Sequence, residues 1–400
     1  MSRTLYEKMK NNFCIIPWIS MTSDNAGLVR PCCKYAEKNK QGEYPTGSLR
    51  ENTYEEIWNG ENFKKLRQAF LDNKRPAECS SCWDEEAGGF ESYRVHHNKY
   101  YQLRTPVKNY RTTEAVPPIL MDLKLSNVCN FKCRMCDYSY SSLILKEDKE
   151  HRNYEVPDEA YYLSNKILGT ENEVYFMEQI LPALSKIDFT GGEPFVSPEG
   201  KSLITKISET EYAKNLTIVI TTNGSIFNPR LLSVLSRFKR VNILVSLDDI
   251  GDRLEYQRHG AVWSVIKKNI NSFKDIPNVR ASLHPTINNY NIWDIQDYFE
   301  WAEDNNLRSI INVLHGPEYL SIKNLPRKLK DEVWNKHQDL ITLQNAMNVM
   351  MEAPDPDDDR YLHNFLSETE RLDKIRKEDF RSVFSAWSDR IYNYKLYEAK

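Results

Sequence analysis

The stretch that most constrains this chain is Cys129-Asn130-Phe131-Lys132-Cys133-Arg134-Met135-Cys136. It spaces three cysteines Cys-x3-Cys-x2-Cys, just after the alternating apolar run Leu120-Met121-Asp122-Leu123-Lys124-Leu125. Three thiolates packed this closely on a loop can bind one iron–sulfur cluster. A cubane has four irons, so three ligands leave one iron open to another group. The rest of the chain reads as what such an open iron needs around it.

All eight cysteines fall in clusters: Cys14 with Cys32 and Cys33, Cys79 with Cys82, and the 129–136 set. Their spacing argues for bound metal in a reducing compartment rather than for disulfides. The net charge of −3 gives no basis for bulk binding to nucleic acid or an anionic membrane. No apolar run approaches the roughly 20 residues needed to span a bilayer. The start, Met-Ser-Arg-Thr-Leu-Tyr, lacks the apolar core of a signal peptide. The expected location is cytoplasmic.

Residues 1–90 read as a small, irregular domain. Alternation around Gly27 predicts a hairpin, and Trp58, Phe63, Leu66 and Phe70 predict an amphipathic helix over residues 54–71. Four thiolates, from Cys14, Cys32, Cys79 and Cys82, can close a tetrahedral metal site or hold a cluster with every iron ligated. Cys33 is the spare, read as a buried small residue, with substitution for Cys32 as the alternative. Residues 91–117 carry Arg94, His96, His97, Lys99, Arg104, Lys108 and Arg111 and read as a solvated linker or surface helix. From 118 to 318 strands and helices alternate. Strands are expected at 119–125, 186–189, 216–221, 241–246, 279–283 and 309–314, and helices at 176–184, 200–208, 228–238, 262–273 and 293–305. Such βα repetition predicts a parallel sheet or barrel with its site at the strands' C-terminal ends. Residues 142–175 form a polar excursion. Residues 319–400 read as a charged helical extension, with the acidic run Pro354-Asp355-Pro356-Asp357-Asp358-Asp359 as a solvated loop.

Thr190-Gly191-Gly192-Glu193-Pro194 closes the second expected strand. Two glycines let the backbone approach a ligand closely, and extended carbonyls can accept from an ammonium; the plain structural reading is a tight turn. The Cys129–Cys136 motif after a first strand and this motif after a second together resemble the radical S-adenosylmethionine (radical SAM) superfamily, over about residues 117–315. The resemblance implies a partial (β/α)6 TIM-like barrel of the α/β class. It also implies a 4Fe–4S cluster on Cys129, Cys133 and Cys136, with SAM on the open iron. SAM is then cleaved reductively to a 5′-deoxyadenosyl radical that takes hydrogen from a substrate. Gly191, Gly192, Glu193 and Pro194 are implied to meet the SAM amino group. Asn223, in Thr221-Thr222-Asn223-Gly224, resembles a family turn. Ser246 and Asp248 resemble polar positions near the ribose, and Arg258 matches an arginine that pairs with the SAM carboxylate, against the alternative of a surface salt bridge. Tyr138 is placed near the adenine or in the core. The position before the last cysteine, commonly aromatic in the family, is Met135. No residue is singled out as catalytic.

Cys14-x12-Gly27-x4-Cys32 with Cys79-x2-Cys82 resembles the auxiliary-cluster module called twitch, a shortened SPASM domain, here preceding the core instead of following it. It implies a second 4Fe–4S cluster on Cys14, Cys32, Cys79 and Cys82, with zinc as the alternative. The implied partners are an electron donor such as flavodoxin or ferredoxin and a small-metabolite substrate. The alternatives are a peptide- or protein-modifying enzyme and a non-catalytic zinc- or cluster-binding protein.

Overall fold

The computed structural model describes residues 12–36, 46–87, 89, 91–102, 112–152, 160–356 and 359–398. Arg104, Lys108 and Arg111, with Asp357 and Asp358 of the acidic run, lie outside the described residues. Among those described, the strands are β1 (Ser20–Ser23), β2 (Leu28–Arg30), β3 (Gly47–Ser48), β4 (Leu120–Lys124), β5 (Lys132–Cys133), β6 (Lys186–Thr190), β7 (Thr217–Thr222), β8 (Arg240–Val245), β9 (Arg258–His259), β10 (Val279–Leu283), β11 (Thr286–Ile287) and β12 (Asn312–Val313). The chain packs as two compact units. The first holds the described residues up to Cys129, Tyr138–Ile220 and Arg230–Val241; the second holds Asn130–Asp137, Thr221–Pro229 and the described residues from Asn242 on.

In the first unit the strand order is β7-β6-β4-β1-β2-β3. β4, β6 and β7 run parallel, with Met121 opposite Ile187 and Ile187 opposite Ile218. Side chains alternate between the two faces of a strand. Met121, Leu123, Ile187, Phe189, Ile218 and Ile220 are buried on one face, while Asp122, Lys124, Lys186, Asp188 and Thr190 are half-buried on the other.

The N-terminal segment does not stand apart from this sheet. β1 pairs parallel with β4, Thr22 opposite Asp122, and so adds a strand to the βα core's own edge. The expected hairpin forms between β1 and β2, with Gly27 at φ +87°. The helix expected over 54–71 forms as two, α1 (Tyr54–Trp58) and α2 (Glu61–Leu71). A capping box of Thr53 and Glu56 starts α1. The break falls at Gly60, where a Cβ would lie 2.3 Å from the Glu56 carbonyl oxygen. Two further helices follow, α3 (Ser80–Ala87) and α4 (Tyr93–Gln102).

The expected βα succession forms close to its sequence-read bounds. The helix read over 200–208 is α5 (Pro198–Ser208), and the strand read over 279–283 is β10 without change. Two readings shift. Over 176–184 the chain makes a π turn, Phe176–Ile180, then a 3-10 turn, Leu181–Ala183. Pro182 has no N–H with which to continue an α-helix. Over 309–314 only β12 and an isolated parallel bridge between Leu283 and Ser309 form.

In the second unit the end of β7, β8 and β10 are hydrogen-bonded neighbours, in the order β10-β8-β7. β5 and β9 make a separate antiparallel ribbon that sets Cys133 opposite Arg258. The helices α6 (Gly251–Gln257), α7 (Trp263–Lys274) and α8 (Ile295–Asp304) follow β8, β9 and β11. The C-terminal extension is helical as expected, with α9 (Arg360–Arg376) its longest element. It packs Phe365, Phe380 and Phe384 against Tyr290 at ring distances of 4.9, 5.8 and 6.2 Å. No described helix is long and apolar enough to cross a membrane.

Candidate active site

In the first unit, β4 ends at Lys124 and the chain runs through Ser126, Asn127 and Val128 into Cys129. The Gly191–Pro194 turn is bonded to that lead-in. The Gly192 N–H donates to the Ser126 carbonyl and the Glu193 N–H to the Val128 carbonyl, both at 2.9 Å. The fit is close enough that a Cβ on Gly192 would stand 2.4 Å from the Val128 oxygen and 2.7 Å from the Asn127 carbonyl carbon. Gly191 takes φ +106°, a conformation that suits glycine. Glu193 is buried, and its carboxylate accepts from the Phe195 N–H at 3.1 Å. Pro194 is buried behind it. Two motifs about sixty residues apart in sequence are thus one backbone-bonded structure. The turn spends its Gly192 and Glu193 N–H groups on the cysteine loop, so a ligand here is offered acceptors.

Tyr138 is half-buried, with its ring 5.8 Å from that of Tyr162, and its carbonyl accepts from the Asn127 side chain at 2.9 Å.

In the second unit, Arg258 is 9% exposed, which removes the surface salt bridge as its explanation. Its Nε donates to Asp248 Oδ2 at 2.7 Å and its Nη1 lies 3.6 Å from Cys133 Sγ. The other Asp248 oxygen accepts from the Thr286 N–H at 2.9 Å. Burial pushes the Cys133 thiol up, and the Arg258 cation opposes that shift. Asn223 donates to Asn130 Oδ1 at 2.9 Å and accepts from the Ser225 N–H and hydroxyl, while Asn130 donates to Ser225 Oγ at 3.0 Å. These bonds tie the end of β7 to the residue after Cys129. Ser246 is half-buried just past β8, its N–H donating to the Thr222 carbonyl at 2.8 Å.

Sequence reasoning missed Arg134, which lies between two of the cysteines. It is buried, packs 3.7 Å over the Tyr256 ring, and donates to Asp373 Oδ1 at 2.5 Å and Glu378 Oε2 at 2.6 Å. Glu378 also bonds His259 Nδ1 at 2.6 Å. The partner Asp373 lies 239 residues further along, so no local pattern announces the pairing.

The remaining cysteines gather in the first unit. Cys14, Cys32, Cys79 and Cys82 line one pocket with about 280 Å³ of space not filled by atoms, together with Lys34, Arg94 and Phe70. Burial pushes all four thiols up, and for each the charge of others in the set or of nearby carboxylates adds to it. Four such thiols ionise together only around a cationic group, which is what a cluster or metal provides. Cys33, read as buried, is exposed and outside the pocket lining, because the turn after β2 directs only Cys32 inward. Arg94 also departs from the solvated linker of the sequence reading. It is 4% exposed, donates to the Phe13 carbonyl at 2.6 Å and clamps Glu86 at 2.9 and 2.5 Å. Among the described residues, no group of three or more His, Cys, Asp or Glu side chains stands as a site for a metal ion.

Comparison with known proteins agrees with both halves of this arrangement. Residues 123–302 match the family model of the radical SAM superfamily, and residues 14–83 match that of SPASM, an iron–sulfur cluster-binding domain. The chain thus carries a radical SAM domain, with a SPASM domain N-terminal to it. These domains imply binding of iron–sulfur clusters and SAM, and need of an electron donor. Among curated proteins it is similar to molybdenum cofactor biosynthesis protein 1 of Dictyostelium discoideum, 26% identical over 190 residues, 46% of this chain and 26% of that one. The chain thus spans about a quarter of that relative's length, 26%. Among solved structures, anSMEcpe with bound AdoMet aligns at 17% identity and TM-score 0.41, covering 61% of this chain and 64% of that one. Streptococcus suis SuiB bound to S-adenosylmethionine aligns at 13% identity and TM-score 0.39, covering 75% and 61%.

Proposed function

We propose that this enzyme cleaves SAM reductively and takes a hydrogen atom from a small polar metabolite, with a second 4Fe–4S cluster as its electron conduit. The observation that carries the first part is the bonding of Gly192 and Glu193 to Ser126 and Val128, which joins the glycine turn to the start of the cysteine loop. Cys129, Cys133 and Cys136 would hold a cluster with one open iron; with SAM bound, the pair supplies one-electron cleavage of the sulfonium and a hydrogen-abstracting radical. The chain's own residues bind and orient. Gly191 to Pro194 offer carbonyls to the amino group of SAM, with Asn223 bracing the cysteine loop and Tyr138 packing beside its exit. Arg258 and Asp248 form a buried pair against Cys133, and Ser246 lies at the neighbouring strand end. Cys14, Cys32, Cys79 and Cys82 would ligate every corner of the second cluster, leaving it to move electrons rather than bind substrate.

A small polar substrate is favoured by the half-buried face of β4 and β6. Asp122 pairs there with Lys124 and Lys186 with Asp188, where the interiors of such folds usually carry branched apolar layers. The Dictyostelium relative, named for molybdenum cofactor biosynthesis, supports the same reading. An external reductase such as flavodoxin or ferredoxin would deliver the electron.

Anaerobic reconstitution tests the proposal. About eight irons per chain are expected for two clusters, and 5′-deoxyadenosine on adding dithionite and SAM. About four irons with one zinc would assign the N-terminal site to zinc, and no 5′-deoxyadenosine with two loaded clusters would reject the SAM chemistry.

A further inference from the structure

Asn25 sits in the β1–β2 turn of the N-terminal domain and is 2% exposed. The turn is rigid: Asp24 Oδ1 accepts from the Ala26 and Leu28 N–H groups at 3.0 and 2.9 Å. The Asn25 amide nitrogen donates to the Ser139 carbonyl at 2.6 Å, three residues past the last cysteine of the loop. Its oxygen, Oδ1, is buried and has no donor among the described residues. That oxygen lies 2.8 Å from where a Cβ on Gly191 would stand, so it is seated against the glycine turn.

Asn127, fully buried, repeats the arrangement. It donates to the Tyr138 carbonyl at 2.9 Å, and its Oδ1 is likewise buried without a donor among the described residues. Two amides from distant segments therefore donate to consecutive carbonyls, and each leaves a buried acceptor without a donor among the described residues. Buried acceptors are almost always satisfied, and one seated against the glycine turn calls for a ligand that brings N–H groups. An ammonium has three donors and no acceptor, and it prefers oxygens that carry no competing donor.

We propose that Asn25 is a SAM-binding residue: its Oδ1 accepts a hydrogen bond from the α-ammonium of SAM at the Gly191 turn. The inference rests on the proposed SAM function. It makes the SPASM domain part of the SAM site as well as the holder of a second cluster.

The test uses the full chain, reconstituted with iron and sulfide, with the EPR signal of the reduced cluster titrated by ligand. Three ligands are compared: SAM, decarboxylated SAM, which keeps the amine, and the analogue with hydrogen in place of the α-amino group. Asn25→Ala should weaken SAM and decarboxylated SAM by roughly ten- to a hundredfold, the range of a hydrogen bond to a charged group, and leave the deaminated analogue unchanged. Equal weakening of all three would make Asn25 only a tether for Ser139 and overturn the proposal, as would no weakening of any. If the alanine variant fails to load iron, Asn25→Ser, a good turn residue too short to reach the ligand, carries the same comparison. A wild-type chain whose loaded cluster does not respond to SAM at all would instead reject the proposed function.

Discussion

The guanidinium of Arg258 stands 3.6 Å from the sulfur of Cys133 while its Nε holds Asp248 at 2.7 Å. A cysteine of the cluster motif, a cation and a carboxylate thus form one buried row, and each term of the row predicts something measurable. Asp248→Asn leaves the buried Arg258 charge without its counter-ion. Breaking such a pair costs about 3–5 kcal/mol, read as a drop in unfolding free energy in urea. Arg258→Gln removes a positive charge beside a cluster ligand, so the midpoint potential of the SAM cluster should move to more negative values in a potentiometric EPR titration. An unmoved midpoint would separate Arg258 from the cluster's electrostatics.

Arg134 couples the cysteine loop to the C-terminal extension through Asp373 and Glu378. Burial raises the Glu378 carboxyl, but its bond with His259 and the Arg134 charge outweigh that and hold it below the ordinary carboxylate range. A depressed carboxyl gives stability that is present above its unfolded value and lost as pH falls through its folded one. The melting temperature should therefore fall as pH drops below about 4.5, and Glu378→Gln should flatten part of that fall. An identical pH profile in the variant would rule the contribution out.

Arg94 joins the Phe13 carbonyl, next to Cys14, to Glu86 in the helix that carries Cys82, and packs 4.8 Å from the Trp83 ring. Arg94→Ala should lower the iron content towards one cluster per chain while 5′-deoxyadenosine formation from added dithionite persists. Arg94→Lys should rescue it poorly, because an ammonium cannot reproduce the two-pronged grip on Glu86.

Gly192→Ala places a methyl 2.4 Å from the Val128 carbonyl oxygen, a backbone atom that cannot swing aside. The expected cost is about 1–3 kcal/mol of stability, with weaker SAM binding as the lead-in to Cys129 shifts. Denaturant midpoints and the SAM-induced EPR change measure the two effects, and wild-type values in both would show that the turn has slack.

Periodicity by itself determined the succession of strands and helices, and the class was legible through the resemblance of two motifs, Cys129–Cys136 and Thr190–Pro194, to the radical SAM superfamily. The strands at β4, β6 and β8 follow from apolar alternation, because each buries alternate side chains; the two cysteine sets and the glycine turn follow from residue type and order. Tertiary structure decided what local pattern cannot carry. β1 joins the edge of β4 through backbone hydrogen bonds that any side chains permit, so residues that read as a free-standing domain extend the core sheet. The split of the 54–71 helix falls at Gly60, where the chain turns extended so close to the Glu56 carbonyl that no Cβ would fit. Cys33 faces out and Arg94 faces in because a turn and a helix fix their directions, and neither residue type announces which way it points. Arg134 meets Asp373, and Asn25 meets the glycine turn, only when segments distant in sequence are packed together: burial makes an unpaired charge or amide costly, and the partner that offsets the cost is chosen in space.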